Sequence, residues 1–325
     1  MKKIFSKDNI KKFLACVLFI AIGVGLLGGA SYLFTPERFH TDTVKDVKPY
    51  GLLAEPENTM DAIIYGDSEA FSAFSPVQMW EEHGFTCYVC SSASQYISLT
   101  ESFVRQTLEH QQPQVVFLET NAIYRKMNSD DPGLNQIEKT LPVFKYHNLW
   151  KNIDPAGINE NENDYCWQDD LKGFKYIDII NKSSHPDYMK KTKQYKKVPG
   201  SNLQHVQNIY DICRQKGVEL VLVSAPSTVN WNYAKHNMMV KLSKQLGVKY
   251  IDLNLEKSIG LDWNHDTCDR GDHVNYYGAT KVTKFFGNYA AETFSLPDHR
   301  GDPAYKDWAQ LKVKYEEVIA RSKTK

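Results

Sequence analysis

DAIIYGDSEA, residues 61–70, is the stretch of this sequence that decides the fold. Its run Ala62–Tyr65 is apolar on both faces, as expected of a parallel strand that helices cover on each side. Ser68 follows this strand and precedes a helix that we predict through about 70–83. A serine at such a junction is either the N-cap of the helix or the nucleophile of an enzyme, and the local sequence leaves both readings open.

Strands and helices alternate along the rest of the chain. Further strands are predicted at 85–90, 114–119, 218–226 and 248–254, with helices at about 98–110, 202–216, 231–245 and 276–293. The helix near Ser98 is predicted from a capping box that ends at Glu101. This alternation predicts right-handed crossovers and a parallel sheet. Ligands of such sheets bind beyond the carboxyl ends of the strands, where Gly66–Ser68, Thr120–Asn121 and Ser224–Pro226 are expected to meet.

Composition favours one large α/β domain and gives no indication of nucleic-acid binding. The 325 residues include 39 basic and 39 acidic ones, and 42% of all residues are hydrophobic. Such a chain has enough apolar material for a packed core. Cys87 and Cys90 form a CxxC pattern on a predicted strand, where residues three apart face opposite sides. Neither a redox pair nor a zinc site is predicted there, and no cofactor is expected.

The N-terminus predicts a membrane anchor. Lys2, Lys3, Lys7, Lys11 and Lys12 precede the span 13–34, which has no charged residue. About 20 apolar residues cross a bilayer as a helix. Lysines before the span predict a single-pass protein with a cytoplasmic N-terminus and an extracytoplasmic C-terminal domain. A signal peptide cleaved near Gly28–Ala30 is the alternative.

These features predict the domain layout. It comprises a cytoplasmic N-terminus at 1–12, the transmembrane helix at 13–34, a linker at 35–58, the α/β domain at 59–295 and a peripheral C-terminal helix at 296–325. Residues 125–200 lack clear periodicity and are interpreted as an insertion over the strand ends. Within it, MKKTKQYKKVPG at 189–200 is either a solvated loop or a surface for anionic wall polymer or lipid headgroups.

A second stretch that carries chemistry is DTCDRGDHVN, residues 266–275. His273 stands there in a polar loop before the last core helix, with Asp266, Asp269 and Asp272 nearby. A general base needs an imidazole that a carboxylate holds in one tautomer, and such a loop supplies both groups. The same carboxylates could form a metal loop, although their spacing does not match an EF-hand.

Gly66-Asp67-Ser68 together with His273-Val274-Asn275 resembles the SGNH/GDSL hydrolase superfamily, over about 60–124 and 202–292. The resemblance implies a flavodoxin-like three-layer α/β/α sandwich with a central parallel sheet. It also implies Ser68 as nucleophile and His273 as base. Position 270, where the family pattern places its aspartate, is Arg. We therefore expect Asp269 to orient the imidazole, with Asp272 as the alternative carboxylate.

The resemblance also implies an oxyanion hole. Its donors would be the N–H groups of Ser68 and Asn121, and that of Ser92 in the place of the family's glycine. The segment LETNAIY, residues 118–124, lacks the glycine and the second aspartate of the family's G-x-N-D block. A backbone N–H serves whatever the side chain, so this departure still allows the hole to form.

With a membrane span, the chain looks most like the envelope-acylation branch, which includes the teichoic-acid D-alanyl transfer protein and the alginate O-acetyltransferases. The expected function is an extracytoplasmic serine acyl-esterase or O-acyltransferase. It would act on envelope glycan, teichoic acid or a similar polymer through an acyl-Ser68 intermediate. The implied partners are the bilayer, the polymer or acyl donor, and a membrane-bound O-acyltransferase. A non-catalytic tethered binding protein, or a metal-dependent hydrolase using Asp266, Asp269, Asp272 and His273, remains as an alternative.

Overall fold

The computed structural model describes residues 7–33, 48–126 and 169–322, together with positions 141 and 143. The described residues fall into two compact units. Helix α1 belongs to the first unit, and residues 48–126 and 169–322 belong to the second. The predicted boundary at residue 35 and most of the predicted insertion, 127–168, lie outside the described ranges apart from the two isolated positions.

Helix α1, Lys7–Leu33, contains residues 13–33 of the transmembrane segment predicted at 13–34. Its part Asn9–Leu33 has a mean hydropathy of 2.5 and is long and apolar enough to cross a membrane. At 1.5 Å per residue these 25 residues extend about 37 Å, more than the hydrocarbon thickness of about 30 Å.

The second unit alternates strands and helices, as predicted. A short 3-10 helix at Lys48–Ala54 comes first. The strands are β1 Ala62–Gly66, β2 Cys87–Ser91, β3 Val115–Glu119, β4 Glu219–Ser224 and β5 Lys249–Asp252. The helices are α2 Ser68–Ala73, α3 Pro76–His83, α4 Ile97–Thr107, α5 Asn121–Tyr124, α6 Gly200–Lys216, α7 Tyr233–Leu246, α8 Tyr276–Phe294 and α9 Lys306–Ser322.

The five strands form one parallel sheet in the order β2-β1-β3-β4-β5. This is the flavodoxin-like order. Successive strands are added on one side of β1 first and on the other side from β3 onwards, so the order of the strands reverses between β1 and β3. Helices cover both faces of the sheet because successive side chains of a strand point to opposite sides. Phe117 of β3 packs its ring 4.8 Å from that of Phe286 on α8. Tyr65 of β1 is hydrogen-bonded to Thr107 of α4 on the other face. The predicted three-layer α/β/α fold is therefore confirmed.

Two local predictions were wrong. The single helix expected at 70–83 is two helices, because proline cannot continue a helix and disfavours helical backbone in the residue before it. Ser75 is extended and caps α3 by accepting a hydrogen bond from the Gln78 N–H. The capping box at Ser98 is absent, since α4 begins at Ile97 and its N-cap side chain makes no capping hydrogen bond.

The C-terminal part of the predicted linker packs on the domain. The 3-10 helix at Lys48–Ala54 buries Leu52 in the core. The Tyr88 hydroxyl on β2 donates to the Lys48 carbonyl at 2.8 Å. Cys87 and Cys90 on the same strand are buried free thiols.

Candidate active site

The sheet order brings the predicted oxyanion residues to one edge. Ser68 opens α2 directly after β1, and Asn121 opens α5 directly after the neighbouring strand β3. On the other side of β1, Gly66 pairs in register with Ser91, which directly precedes Ser92. All three positions thus lie at the carboxyl edge of the sheet and flank the reversal between β1 and β3, where this fold binds its ligands.

Gly66 allows the close approach of β3 and α2 around Ser68. A Cβ atom at this position would lie 2.6 Å from the Glu119 Cβ and 2.8 Å from the Ala70 Cβ. Neither neighbour is the end of a flexible chain, so a larger residue would push the elements apart. The glycine of the GDS stretch is therefore required sterically.

Asp67, and not Ser68, caps helix α2. The Asp67 side chain accepts a hydrogen bond from the Glu69 N–H at 3.0 Å. Ser68 occupies the first helical position and is half-buried. A backbone N–H at that position has no acceptor within its own helix. Capping of the helix, which was the alternative role for Ser68, is thus performed by Asp67.

Asp269 is the carboxylate that holds the His273 ring. Its Oδ2 lies 2.5 Å from His273 Nδ1, and its Oδ1 accepts the His273 backbone N–H at 2.7 Å. Asp272 Oδ2 lies 4.0 Å from the same ring nitrogen. The structure therefore brings Asp269 and His273 together as the sequence analysis expected, and leaves Asp272 outside hydrogen-bonding distance of the ring.

The other ring nitrogen of His273 lacks a partner. Nε2 is buried and makes no hydrogen bond, to Ser68 or to any other group, within the described residues. Burial opposes the charged imidazolium, but the Asp269 hydrogen bond and the carboxylates of Asp272, Asp269 and Asp67 outweigh it and raise the His273 pKa.

Two further residues of the site, Glu69 and Asn230, were missed by the sequence analysis. Glu69 is 2% exposed and accepts a hydrogen bond from Asn230 Nδ2 at 2.7 Å. The same Nδ2 donates to Asp272 Oδ1. Burial and the nearby carboxylates of Asp67, Glu119 and Asp272 raise the Glu69 pKa well above its ordinary value. In the sequence, Glu69 has the position of an ordinary acidic residue in a first helical turn.

Asn121 is a predicted oxyanion residue, and its backbone N–H already has acceptors. It donates to both carboxylate oxygens of Glu119 at 3.0 Å. The Asn121 side chain donates from Nδ2 to Asp67 at 3.0 Å, and its Oδ1 accepts from Lys235 Nζ at 3.2 Å. One Nδ2 hydrogen is left over, because a primary amide carries two. The donor of Asn121 that remains without a partner among these contacts is thus in its side chain.

Two cationic side chains lie near the buried carboxyl groups at this edge of the sheet. Arg125 donates to Asp67 Oδ2 at 2.8 Å, and Lys235 also reaches the Asn230 carbonyl. Burial and Asp67 raise the pKa of Glu119 to about 8.

Ser92 is the third predicted oxyanion residue. It is buried and its hydroxyl donates to Gln95 at 3.0 Å, so only its backbone N–H remains as an oxyanion donor.

The described residues contain one group whose geometry would suit a metal ion. Donor atoms of Glu69, Asp272 and His273 lie within 4.8 Å of one another. The Asn230 amide donates to both carboxyl groups of this set. Asp266, of the metal set considered from the sequence, is instead buried in an ion pair with Lys281 at 2.6 Å. Two members of the cluster thus share an amide donor.

Comparisons with known proteins give a similarity of fold. No family model and no curated protein sequence matches the chain. Among solved structures, the esterase EstA from Pseudoalteromonas sp. is 9% identical, with a TM-score of 0.38 over 72% of this chain and 99% of its own. A family 3 carbohydrate esterase from Clostridium thermocellum is 10% identical, with a TM-score of 0.36 over 73% of this chain and 98% of its own. A GDSL-like lipase from Bacteroides thetaiotaomicron is 7% identical, with a TM-score of 0.36 over 71% of this chain and 88% of its own. At such low similarity, the chemistry of the site has to be inferred from its own contacts.

Replacing Asp269 with Asn should lower the His273 pKa. The change removes a charged hydrogen-bond partner while the burial that disfavours imidazolium remains. An NMR pH titration of the His273 ring measures the shift. The matched control Asp272→Asn removes a charge without that hydrogen bond, so its effect should be smaller. A larger shift in Asp272→Asn would show that Asp272 is the partner of the imidazole.

Replacing Glu69 with Gln should raise the unfolding temperature at pH 7–8. Because the Glu69 pKa is raised in the folded state, its contribution favours folding below the unfolded pKa of about 4.3 and is lost as pH rises toward the folded value. Gln keeps an oxygen for Asn230 and does not ionise. Thermal unfolding should therefore show a gain over the wild type that shrinks toward pH 4, with exposed Glu292→Gln as control. A Glu69→Gln protein that is less stable than the wild type at pH 7–8 and approaches it toward low pH would mean that Glu69 is ionised in the fold.

Proposed function

We propose that this chain is a serine acyl-esterase or O-acyltransferase that forms a covalent acyl intermediate on Ser68. The observation that carries the proposal is the state of His273. Its Nδ1 is held by Asp269 at 2.5 Å, while its Nε2 is buried and unpartnered within the described residues, at the sheet edge where Ser68 opens α2. An imidazole fixed on one side and open on the other is what a serine nucleophile needs as its base.

In the first step Ser68 Oγ attacks the carbonyl carbon of an ester or thioester, and His273 Nε2 accepts the hydroxyl proton. The Asp269 carboxylate stabilises the imidazolium that forms. The oxyanion is stabilised by the N–H groups of Ser68 and Ser92 and by the remaining Nδ2 hydrogen of Asn121. When the tetrahedral intermediate collapses, the carbon–oxygen or carbon–sulfur bond breaks and His273 returns the proton to the leaving alcohol or thiol.

In the second step His273 removes a proton from an acceptor hydroxyl, which attacks the acyl-Ser68 carbonyl. The Ser68 Oγ leaves and takes the proton back from His273. Water as acceptor makes the chain an esterase, and a sugar or polyol hydroxyl makes it a transferase. The same residues serve both outcomes, so the choice depends on which acceptor occupies the site.

The proposed setting is the outer face of a cell membrane. Helix α1 supplies a span of 25 residues that is long and apolar enough to cross a membrane, with Lys7, Lys11 and Lys12 at its N-terminal end, the pattern of a cytoplasmic N-terminus and an exported C-terminal domain. An anchored acyl-transfer enzyme in that location would meet envelope glycan, teichoic acid or a similar polymer. A membrane-bound O-acyltransferase is the corresponding proposed partner, suggested by the resemblance to the envelope-acylation branch.

A metal-dependent hydrolase is the second candidate, because Glu69, Asp272 and His273 converge. Two observations disfavour a metal site. Asn230 already donates to both carboxyl groups, and a Glu69 whose pKa is well raised by burial is a poor ligand in its protonated form. A non-catalytic binding protein remains as the third candidate, and reactivity of Ser68 distinguishes it from an enzyme.

A fluorophosphonate probe should label Ser68 in the full chain, because a serine activated by a fixed imidazole attacks phosphorus as it attacks an ester. Mass spectrometry of the labelled peptide identifies the residue. Ser68→Ala should abolish labelling, and His273→Ala should slow it by about three to four orders of magnitude. Ser72→Ala, in the same helix, is the matched control and should react like the wild type.

The rates of p-nitrophenyl acetate hydrolysis should rank the variants in the same order as the labelling rates do. EDTA should leave these rates unchanged. Absence of labelling together with activity that EDTA abolishes would contradict the proposal in favour of the metal site. Absence of both labelling and activity in a folded protein would contradict it in favour of a binding protein.

A further inference from the structure

Asn230 joins the two elements that carry the proposed nucleophile and its base. Its Nδ2 atom donates to Glu69 Oε1 at 2.7 Å and also to Asp272 Oδ1. Glu69 directly follows Ser68 in the first turn of α2. In the loop 266–275, Asp272 directly precedes His273. One amide nitrogen thus ties together the chain neighbours of both residues that the mechanism requires to meet.

The separation of Ser68 and His273 depends on such a link. His273 Nε2 makes no hydrogen bond within the described residues, so no direct bond fixes its distance to Ser68. The two hydrogen bonds of Asp269 to the ring and backbone of His273 lie inside the loop 266–275 and orient the imidazole there. They do not determine where the loop lies relative to α2. The bridge through Asn230 spans that gap.

The turn that carries Asn230 is itself anchored to the loop of the base. The Thr228 N–H donates to the Gly271 carbonyl at 2.8 Å, and the Ser227 hydroxyl donates to the Asp272 carbonyl at 2.6 Å. The Asn230 N–H in turn donates to Ser227 Oγ at 3.0 Å. The backbone of Asn230 is therefore held before its side chain reaches the two carboxyl groups, and less conformational freedom is lost in forming the bridge.

Asparagine has the hydrogen-bonding groups that this place requires. A primary amide nitrogen carries two hydrogens and no charge, so one atom serves two carboxyl groups, whereas a hydroxyl has a single hydrogen. Donor atoms of Glu69, Asp272 and His273 lie within 4.8 Å of one another. Without a shared donor, two carboxyl groups so close would be left unsatisfied and would repel each other when ionised. Their separation would carry Ser68 away from His273.

We infer that Asn230 is a positioning residue that sets the distance between Ser68 Oγ and His273 Nε2. The inference rests on the proposed function, because Asn230 acts through these two residues. Both of its Nδ2 hydrogens are used on carboxyl groups, so its effect falls on the rate of attack and proton transfer rather than on substrate affinity. A misplacement of about 1 Å in a catalytic arrangement can cost about a hundredfold in rate.

Fluorophosphonate labelling of Ser68 in the full chain provides the first test. Asn230→Ala should lower the maximal labelling rate constant by about a hundredfold and leave the half-saturating probe concentration within about threefold of the wild type. The matched control is Asn232→Ala. It removes an exposed amide that caps α7 on the Lys235 N–H, two residues further along the same turn, and it should label like the wild type.

Exchanging donors and acceptors provides the second test. In the triple variant Asn230→Asp/Glu69→Gln/Asp272→Asn, a carboxyl group at position 230 accepts hydrogen bonds from two amides, so the bridge is rebuilt with reversed polarity. In Asn230→Asp alone, three carboxyl groups face one another. The triple variant should therefore label Ser68 at least about tenfold faster than Asn230→Asp. Because Asn230→Asp hardly changes side-chain size, this pair also serves if the alanine variant fails to fold.

Labelling of folded Asn230→Ala at the rate of Asn232→Ala would overturn the inference, as would a triple variant no faster than Asn230→Asp. Crystal structures of the wild type and Asn230→Ala measure the distance from Ser68 Oγ to His273 Nε2. This distance should lengthen in the variant, and an unchanged distance would also overturn the inference. A wild type that is not labelled contradicts the proposed function, while the two distances still test the bridge. A wild type that is labelled no faster than Asn230→Ala contradicts only the role of Asn230.

Discussion

The hydrogen bond between Asp269 and Nδ1 of His273 is the contact on which the rest of the site depends. Both oxygens of that carboxylate are used, one on the ring and one on the backbone N–H of the same residue. The imidazole therefore cannot turn without breaking a charge-assisted hydrogen bond, which is among the stronger polar contacts in proteins. With Nδ1 fixed, Nε2 is left buried and without a partner within the described residues, as the proposed role of His273 as a base requires.

The sheet then determines what can approach that nitrogen. Because β1 and β3 are neighbours, Ser68 and Asn121 lie side by side at the edge, and Gly66 lets the surrounding elements pack closely. Burying several carboxyl groups this close together is unfavourable unless donors or protons compensate them. Asn230, Arg125 and Asn121 supply donors to these carboxyl groups, and burial raises the pKa of Glu69 well above its ordinary value.

Those parts of the site that depend on local pattern could be predicted from the sequence. Alternating strands and helices predicted the parallel sheet and the edge position of Ser68, and the loop before α8 predicted the Asp269–His273 pairing. Contacts between distant segments could not be predicted. Asn230 bridges Glu69 and Asp272 across 161 and 42 residues of chain, and no local pattern encodes such a contact. Glu101 looked like part of a capping box, yet in the fold it binds His205 of α6 at 2.8 Å.

The most direct test of the central claim is the structure of the full chain after reaction with an alkyl fluorophosphonate. The account predicts phosphorus bonded to Ser68 Oγ, with His273 Nε2 within about 3 Å of an oxygen on that phosphorus and Asp269 still on Nδ1. Two results would contradict it. One is an unmodified Ser68 in crystals soaked to saturation, and the other is an adduct whose oxygens all lie beyond the reach of His273 through one water molecule.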